Sequence, residues 1–184
     1  MTLLAILAEP IILLLLTEKW LPVVPLLQWL CFMKIVYPIS VINMNILNAV
    51  GRSDLFLKVD LVKFPMIVIT LIITIPISLL AVVIGQFINS VISYFINAYM
   101  PGKLFGYGPI KQFKDIIPVV VITLIMAVIT LITISLLDSD ILKILIGLTV
   151  AFTSYLSMAY FMKSNELNEI LDVIKNRLWS WKSS

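Results

Sequence analysis

Long apolar runs separated by short polar interruptions dominate this chain. A helix that crosses a bilayer needs about 20 predominantly apolar residues. Six runs approach or meet that length: Leu3–Leu16, short and interrupted by Glu9-Pro10, then Pro22–Asn48, Val59–Ile75, Leu79–Met100, Ile116–Leu137 and Ile141–Met162. No period-two alternation is sustained, so the pattern predicts helices and not a barrel. The expected fold is all-α, a polytopic transmembrane bundle of about six spanning helices. Its connections are short, "TEKW", "GRSD", a turn near "IPIS" and "DSD", which makes successive helices antiparallel. The exception is Pro101–Asp115, which holds three of the six glycines.

A further periodic segment, about Asn165–Trp181, differs from the others. Leu167, Ile170, Leu171, Ile174, Leu178 and Trp181 fall within about 100° of a helical wheel. Its acids come early and its bases late, which suits the helix dipole. The pattern predicts a C-terminal amphipathic surface helix on the cytoplasmic face of the membrane. The chain thus divides into a transmembrane bundle, residues 1–162, and a cytoplasmic amphipathic tail, residues 163–184.

Composition sharpens this picture. Of the 184 residues, 61% are hydrophobic and 12% charged. Soluble domains average roughly 45–50% apolar and about 25% charged, so this chain has too little polar surface to dissolve in water. The opening "MTLLAILAEPIILLLL" has no basic n-region and no small-residue cleavage site, and it reads as a helix that stays. Cys31 is the sole cysteine, which precludes an intrachain disulfide and fits a small buried hydrophobe.

Charge predicts orientation, because Lys and Arg concentrate in cytoplasmic loops. One set of alternating connections holds Arg52, Lys58, Lys63, Lys103, Lys111, Lys114 and the basic residues after Met162. The other holds Lys19 and Lys143 with Glu18, Asp138 and Asp140. The Arg52 loop, the Lys103–Lys114 loop and the C-terminus are therefore expected in the cytoplasm.

The chain contains no histidine. That excludes His-box oxygenases, Ser-His proteases and H-E-x-x-H metalloproteases, and it removes the commonest general base. No glycine-rich phosphate loop occurs. Asp138-Ser139-Asp140 reads as a polar turn with a helix cap. A non-enzyme is expected, with no metal, no cofactor and no nucleic-acid partner.

Polar residues inside lipid are expensive and usually face a bundle interior or a water-filled cavity. On the second run, Cys31, Lys34, Tyr37, Pro38, Asn45 and Asn48 share a sector of about 120°. On the fourth, Gln86, Asn89, Ser90, Ser93, Tyr94 and Asn97 share about 140°. The serines suit interhelical contacts. The amides and phenols suit a hydrated cavity that receives sugar hydroxyls, since each such group both donates and accepts. Lys34 lies about 18 Å into its helix at 1.5 Å per residue, near mid-membrane. In lipid its charge would cost roughly 2.5–3.5 kcal/mol. Water or an anion inside the bundle answers that cost; a pair with Glu9, or a neutral buried lysine, is the structural alternative. Pro38, Pro65, Pro76 and Pro118 are candidate kinks beside such a cavity.

Three stretches carry a resemblance: "AEPIILLLLTEKWLPVVPLLQWLC", "NMNILNAVGRSDLFLKVDLVK" and "IGQFINSVISYFINAY". Together they resemble the bacterial lipopolysaccharide and teichuronic-acid exporters, oligosaccharide flippases of the multidrug/oligosaccharidyl-lipid/polysaccharide exporter superfamily. The marks are Glu18-Lys19-Trp20, the turn Asn48–Asp54 with Gly51, Arg52 and Asp54, and the polar helix ending in Ser93–Tyr99. The resemblance implies the C-terminal six of about fourteen helices in two bundles. It implies a bacterial cytoplasmic membrane and the flipping of lipid-linked oligosaccharide for surface polysaccharide. The substrate would pass Lys34, Tyr37, Asn45, Asn48, Gln86, Asn89, Ser93 and Asn97. The missing N-terminal bundle, from a longer gene product or a second copy, is an expected partner besides the bilayer. The family pattern has glycine where this chain has Thr17, a departure expected to matter little. A multidrug or lipid exporter of the same superfamily and a non-transporting scaffold of a polysaccharide assembly complex stand as alternatives.

Overall fold

A computed structural model describes residues 1–162, and among them every regular element is helical. The α-helices are α1 (Thr2–Ile6), α2 (Ala8–Leu15), α3 (Val24–Ala49), α4 (Ser53–Thr74), α5 (Leu79–Phe105), α6 (Pro109–Ser135) and α7 (Asp140–Phe161). A 3-10 helix, Glu18–Val23, leads into α3. The tail expected to lie on the membrane surface falls outside the described residues.

Four segments are long and apolar enough to cross a membrane: Glu18–Ala49, Leu79–Phe105, Pro109–Ser135 and Asp140–Phe161. The protein is a membrane protein. The other two of the six expected segments differ in kind. Helix α4 begins at Ser53, not Val59, and so carries Lys58 as well as Asp60 and Lys63 within it.

The expected single helix Leu3–Leu16 is two helices broken at Leu7 (φ −88°, ψ 7°). Proline has no N–H and its ring clashes with the carbonyl four residues back. For Pro10 that carbonyl belongs to Ile6, where α1 ends. The break also seats Leu7, 2% exposed, on α7. Gly147 makes room for it: a Cβ there would stand 3.0 Å from Leu7 Cδ2. The other prolines do not break their helices. Helices α3, α4 and α6 run through Pro38, Pro65 and Pro118, and Pro76 lies in the α4–α5 turn.

Helix α5 is the centre of the charged half of the bundle. It lies parallel to α3, with Trp29 against Phe87 (5.3 Å between ring centroids) and Ser90 Oγ donating to the Met33 carbonyl at 3.3 Å. It lies antiparallel to α4. There Gly85 permits a close approach, since a Cβ would come within 2.7 Å of Thr70 Cγ2. Met44, Leu47, Leu55 and Val59, with Phe56, Ile96 and Met100, close the end of this trio near Gly51. Cys31 is buried, as expected of a small hydrophobe.

Two turns are set by local folding chemistry. After α3, the Arg52 N–H bonds the Leu47 carbonyl at 2.9 Å and the Gly51 N–H bonds the Asn48 carbonyl at 3.0 Å. This is a Schellman cap, which places glycine at a left-handed position; Gly51 has φ +72°. Arg52 then forks onto Asp54 through Nε and a terminal nitrogen, at 3.0 and 3.2 Å. Asp54 occupies the first turn of α4, where a carboxylate favours the helix dipole.

The second turn corrects an expectation. Thr17 adopts φ 88°, ψ 166°, in a region essentially reserved for glycine, where other residues carry about 1–3 kcal/mol of strain. A threonine here is therefore strained, contrary to the expectation that its presence matters little.

Candidate functional site

Helices α3, α4 and α5 enclose a groove of ≈ 730 Å³. Helix α3 supplies Lys34, Tyr37, Ser40 and Asn45; α5 supplies Gln86, Asn89, Ser90, Ser93 and Asn97. Seven of the eight residues expected to form a cavity thus line one space: Lys34, Tyr37, Asn45, Gln86, Asn89, Ser93 and Asn97. The sequence sectors translate into this shared wall because α3 and α5 are parallel and their polar stripes face the same gap.

Asn48 is the exception. It does not line the groove; its carbonyl is engaged in the Schellman turn and its side chain is exposed. Cys31 and Tyr94 share the polar sectors on a helical wheel, yet both turn away. Tyr94 is buried and donates to the Pro109 carbonyl at 2.7 Å, fastening α5 to the start of α6.

Lys34 Nζ stands 4.5 Å from the centroid of the Tyr37 ring, a cation–π contact. The alternative pairing with Glu9 does not form. Glu9 lines a different cleft with Gln28, Ser135 and Lys143, and Lys143 pairs with Asp140 at 3.4 Å.

Helix α4 adds two charged residues: Lys63, which the charge pattern counts with a cytoplasmic connection, and Asp60, to which the sequence pattern gives no role. Asp60 and Lys63 both line the groove. Lys63 Nζ lies 2.7 Å from Asp60 Oδ1, with the lysine side chain 14% exposed and the carboxylate 46%. The spacing of Asp60 and Lys63, three residues apart on one helix, was the available signal.

The groove also holds polar atoms without protein partners. Asn89 and Asn97 are 4% and 3% exposed. One end of the Asn89 amide lies 3.1 Å from Thr70 Oγ1. Its Nδ2, together with Asn97 Oδ1 and Ser40 Oγ, is buried without a hydrogen-bond partner among the described residues. Buried amides left unpaired are costly, so these atoms suit a ligand or water that both donates and accepts.

A second polar cluster lies beside the groove. Asn43 and Gln112 exchange two amide hydrogen bonds, and Gln112 also donates to the Tyr107 carbonyl at 3.0 Å. Sequence reasoning missed Asn43 because its wheel position lies off the stripe shared by Lys34 and Asn45. At the membrane edge the charges are solvated. The Arg52 fork holds the Asp54 carboxyl below its ordinary range. The Asp115 carboxylate, accepting from the Tyr107 hydroxyl at 2.6 Å, raises the phenol above its own.

No group of three or more metal-ligating side chains occurs among the described residues. No family model matches this chain, and neither the curated proteins nor the solved structures give a match.

Proposed function

We propose that this chain forms one bundle of an exporter that flips lipid-linked oligosaccharide across the bacterial cytoplasmic membrane, for surface polysaccharide. In this reading the α1–α2 pair and α4 complete six membrane segments, and the Gly51 and Gly106 turns and the C-terminus face the cytoplasm. The observation that carries the proposal is the groove: a lysine, eight amide and hydroxyl groups and an ion pair, all on three helices of a chain too apolar for water.

The physical problem of flipping is desolvation. Glycan hydroxyls and an anionic diphosphate lose their water on entering the bilayer. Asn45, Gln86, Asn89, Ser93 and Asn97 offer replacement donors and acceptors, and Lys34 offers a positive charge. The lipid tail stays in the hydrocarbon. A second bundle on the open side of the groove would let the site face each membrane surface in turn by rocking. No covalent step is required.

The test is export in cells carrying the intact transporter. Lys34→Ala should abolish export with the protein inserted and abundant, and Lys34→Arg should retain part of it. Normal export by Lys34→Ala would remove Lys34 from the pathway and sink the reading.

A further inference from the structure

Among the described residues Lys63 and Asp60 form the one ion pair that lines the groove, and the two partners are unequal. The carboxylate is about half exposed, while the lysine is largely enclosed. Asp60 can turn outward and be hydrated; Lys63 cannot. An enclosed cation that loses its partner is strongly disfavoured, so the pair opens only when another anion reaches Lys63.

Lys34 completes the geometry. It has an aromatic ring beside it, but no carboxylate within ion-pair reach among the described residues. Counting from the Gly51 end at 1.5 Å per residue, Lys34 stands at roughly 22 Å and Lys63 at roughly 15 Å. The two ammonium groups therefore approach the groove from different helices at levels roughly 7 Å apart. At rest the groove lining carries two cations and one anion. With Asp60 turned outward, two lysines face the space, matching the two charges of a diphosphate diester.

Resting on the export reading above, we infer that Lys63 is a second anion-binding cation of the groove. Asp60 is its resting counter-ion, exchanged for a phosphate of a diphosphate-bearing amphiphile. The exchange keeps Lys63 paired throughout, so the cation is never exposed alone to a low-dielectric interior.

The experiment is binding of farnesyl diphosphate to the purified full chain in nanodiscs, read by calorimetry, with unfolding temperature as a folding control. Lys63→Ala should weaken binding at least tenfold and Lys63→Arg only slightly; Lys63→Met, which keeps the stem, replaces the alanine variant where that does not fold. Asp60→Asn should tighten binding several-fold, by removing the competitor, and should have no effect in a Lys63→Ala background. Inorganic diphosphate should compete at least tenfold more weakly than the farnesyl ester, marking a lipid headgroup as the source. Equal competition would support the exchange with free diphosphate as the source. If Lys63→Ala binds normally while Lys34→Ala does not, the groove reading stands and the exchange is wrong. If Asp60→Asn weakens binding as much as Lys63→Ala, the pair is structural and the exchange is also wrong. If wild type shows no binding, or if both lysine variants bind like wild type, the anion-binding groove itself falls.

Discussion

Asn43 and Gln112, 69 residues apart in sequence, exchange two buried hydrogen bonds of 2.8 Å across α3 and α6. Each amide donates one and accepts one, so the pair is self-satisfied where water is scarce. Removing either partner leaves the other unpaired. Interhelical polar contacts in membranes are worth about 0.6–2 kcal/mol. Asn43→Leu or Gln112→Leu alone should therefore destabilise the detergent-solubilised protein by about 1–2 kcal/mol. The double replacement should recover part of that loss, because no orphaned amide remains. Unfolding by denaturant reads both, and strictly additive losses would show that the two amides do not act as a pair.

Thr17 offers the opposite kind of change. Its φ of 88° is the one positive value among non-glycine described residues. Thr17→Gly should raise stability by about 1 kcal/mol, the relieved strain being partly offset by the freedom glycine gains in the unfolded chain. Thr17→Val should give no gain. A destabilising glycine would mean that the turn before the 3-10 helix is not strained.

Orientation is tested independently of the groove. Reporter fusions at Asp54 and Ser139 should report opposite sides, with Asp54 cytoplasmic. The two turns cap opposite ends of the bundle, because α4, α5 and α6 intervene between them. The same side for both would break the six-segment count.

Hydrophobic runs were legible in the sequence because apolar length dominates helix formation in a chain this lipophilic. Most of the groove was legible too. Polar side chains at helical spacing on α3 and α5 identify a shared face before any packing is known. What escaped depends on neighbours or on helix ends. Asn48 shares the stripe of Lys34 but falls where the Schellman turn claims its backbone. Lys63 was counted with a cytoplasmic connection although it lies inside the run Val59–Ile75, and its pairing with Asp60 one turn away went unread. Asn43 required Gln112, which lies far away in sequence. The break at Leu7 has a local cause in Pro10, yet its seat on Gly147 is tertiary.

Export through the α3–α4–α5 groove requires a hydrated path there and not a dry packing seam. Cysteine accessibility tests it most directly, in a Cys31→Ser background within native membranes. Single cysteines at Lys34, Asn45, Gln86 and Ser93 should react with a small membrane-impermeant thiol reagent. Cysteines at Ile35, Ile42 and Ile88, exposed on other faces of the same helices, should react at least tenfold more slowly. Equal reactivity of the two sets, or an unreactive groove set, would contradict the account.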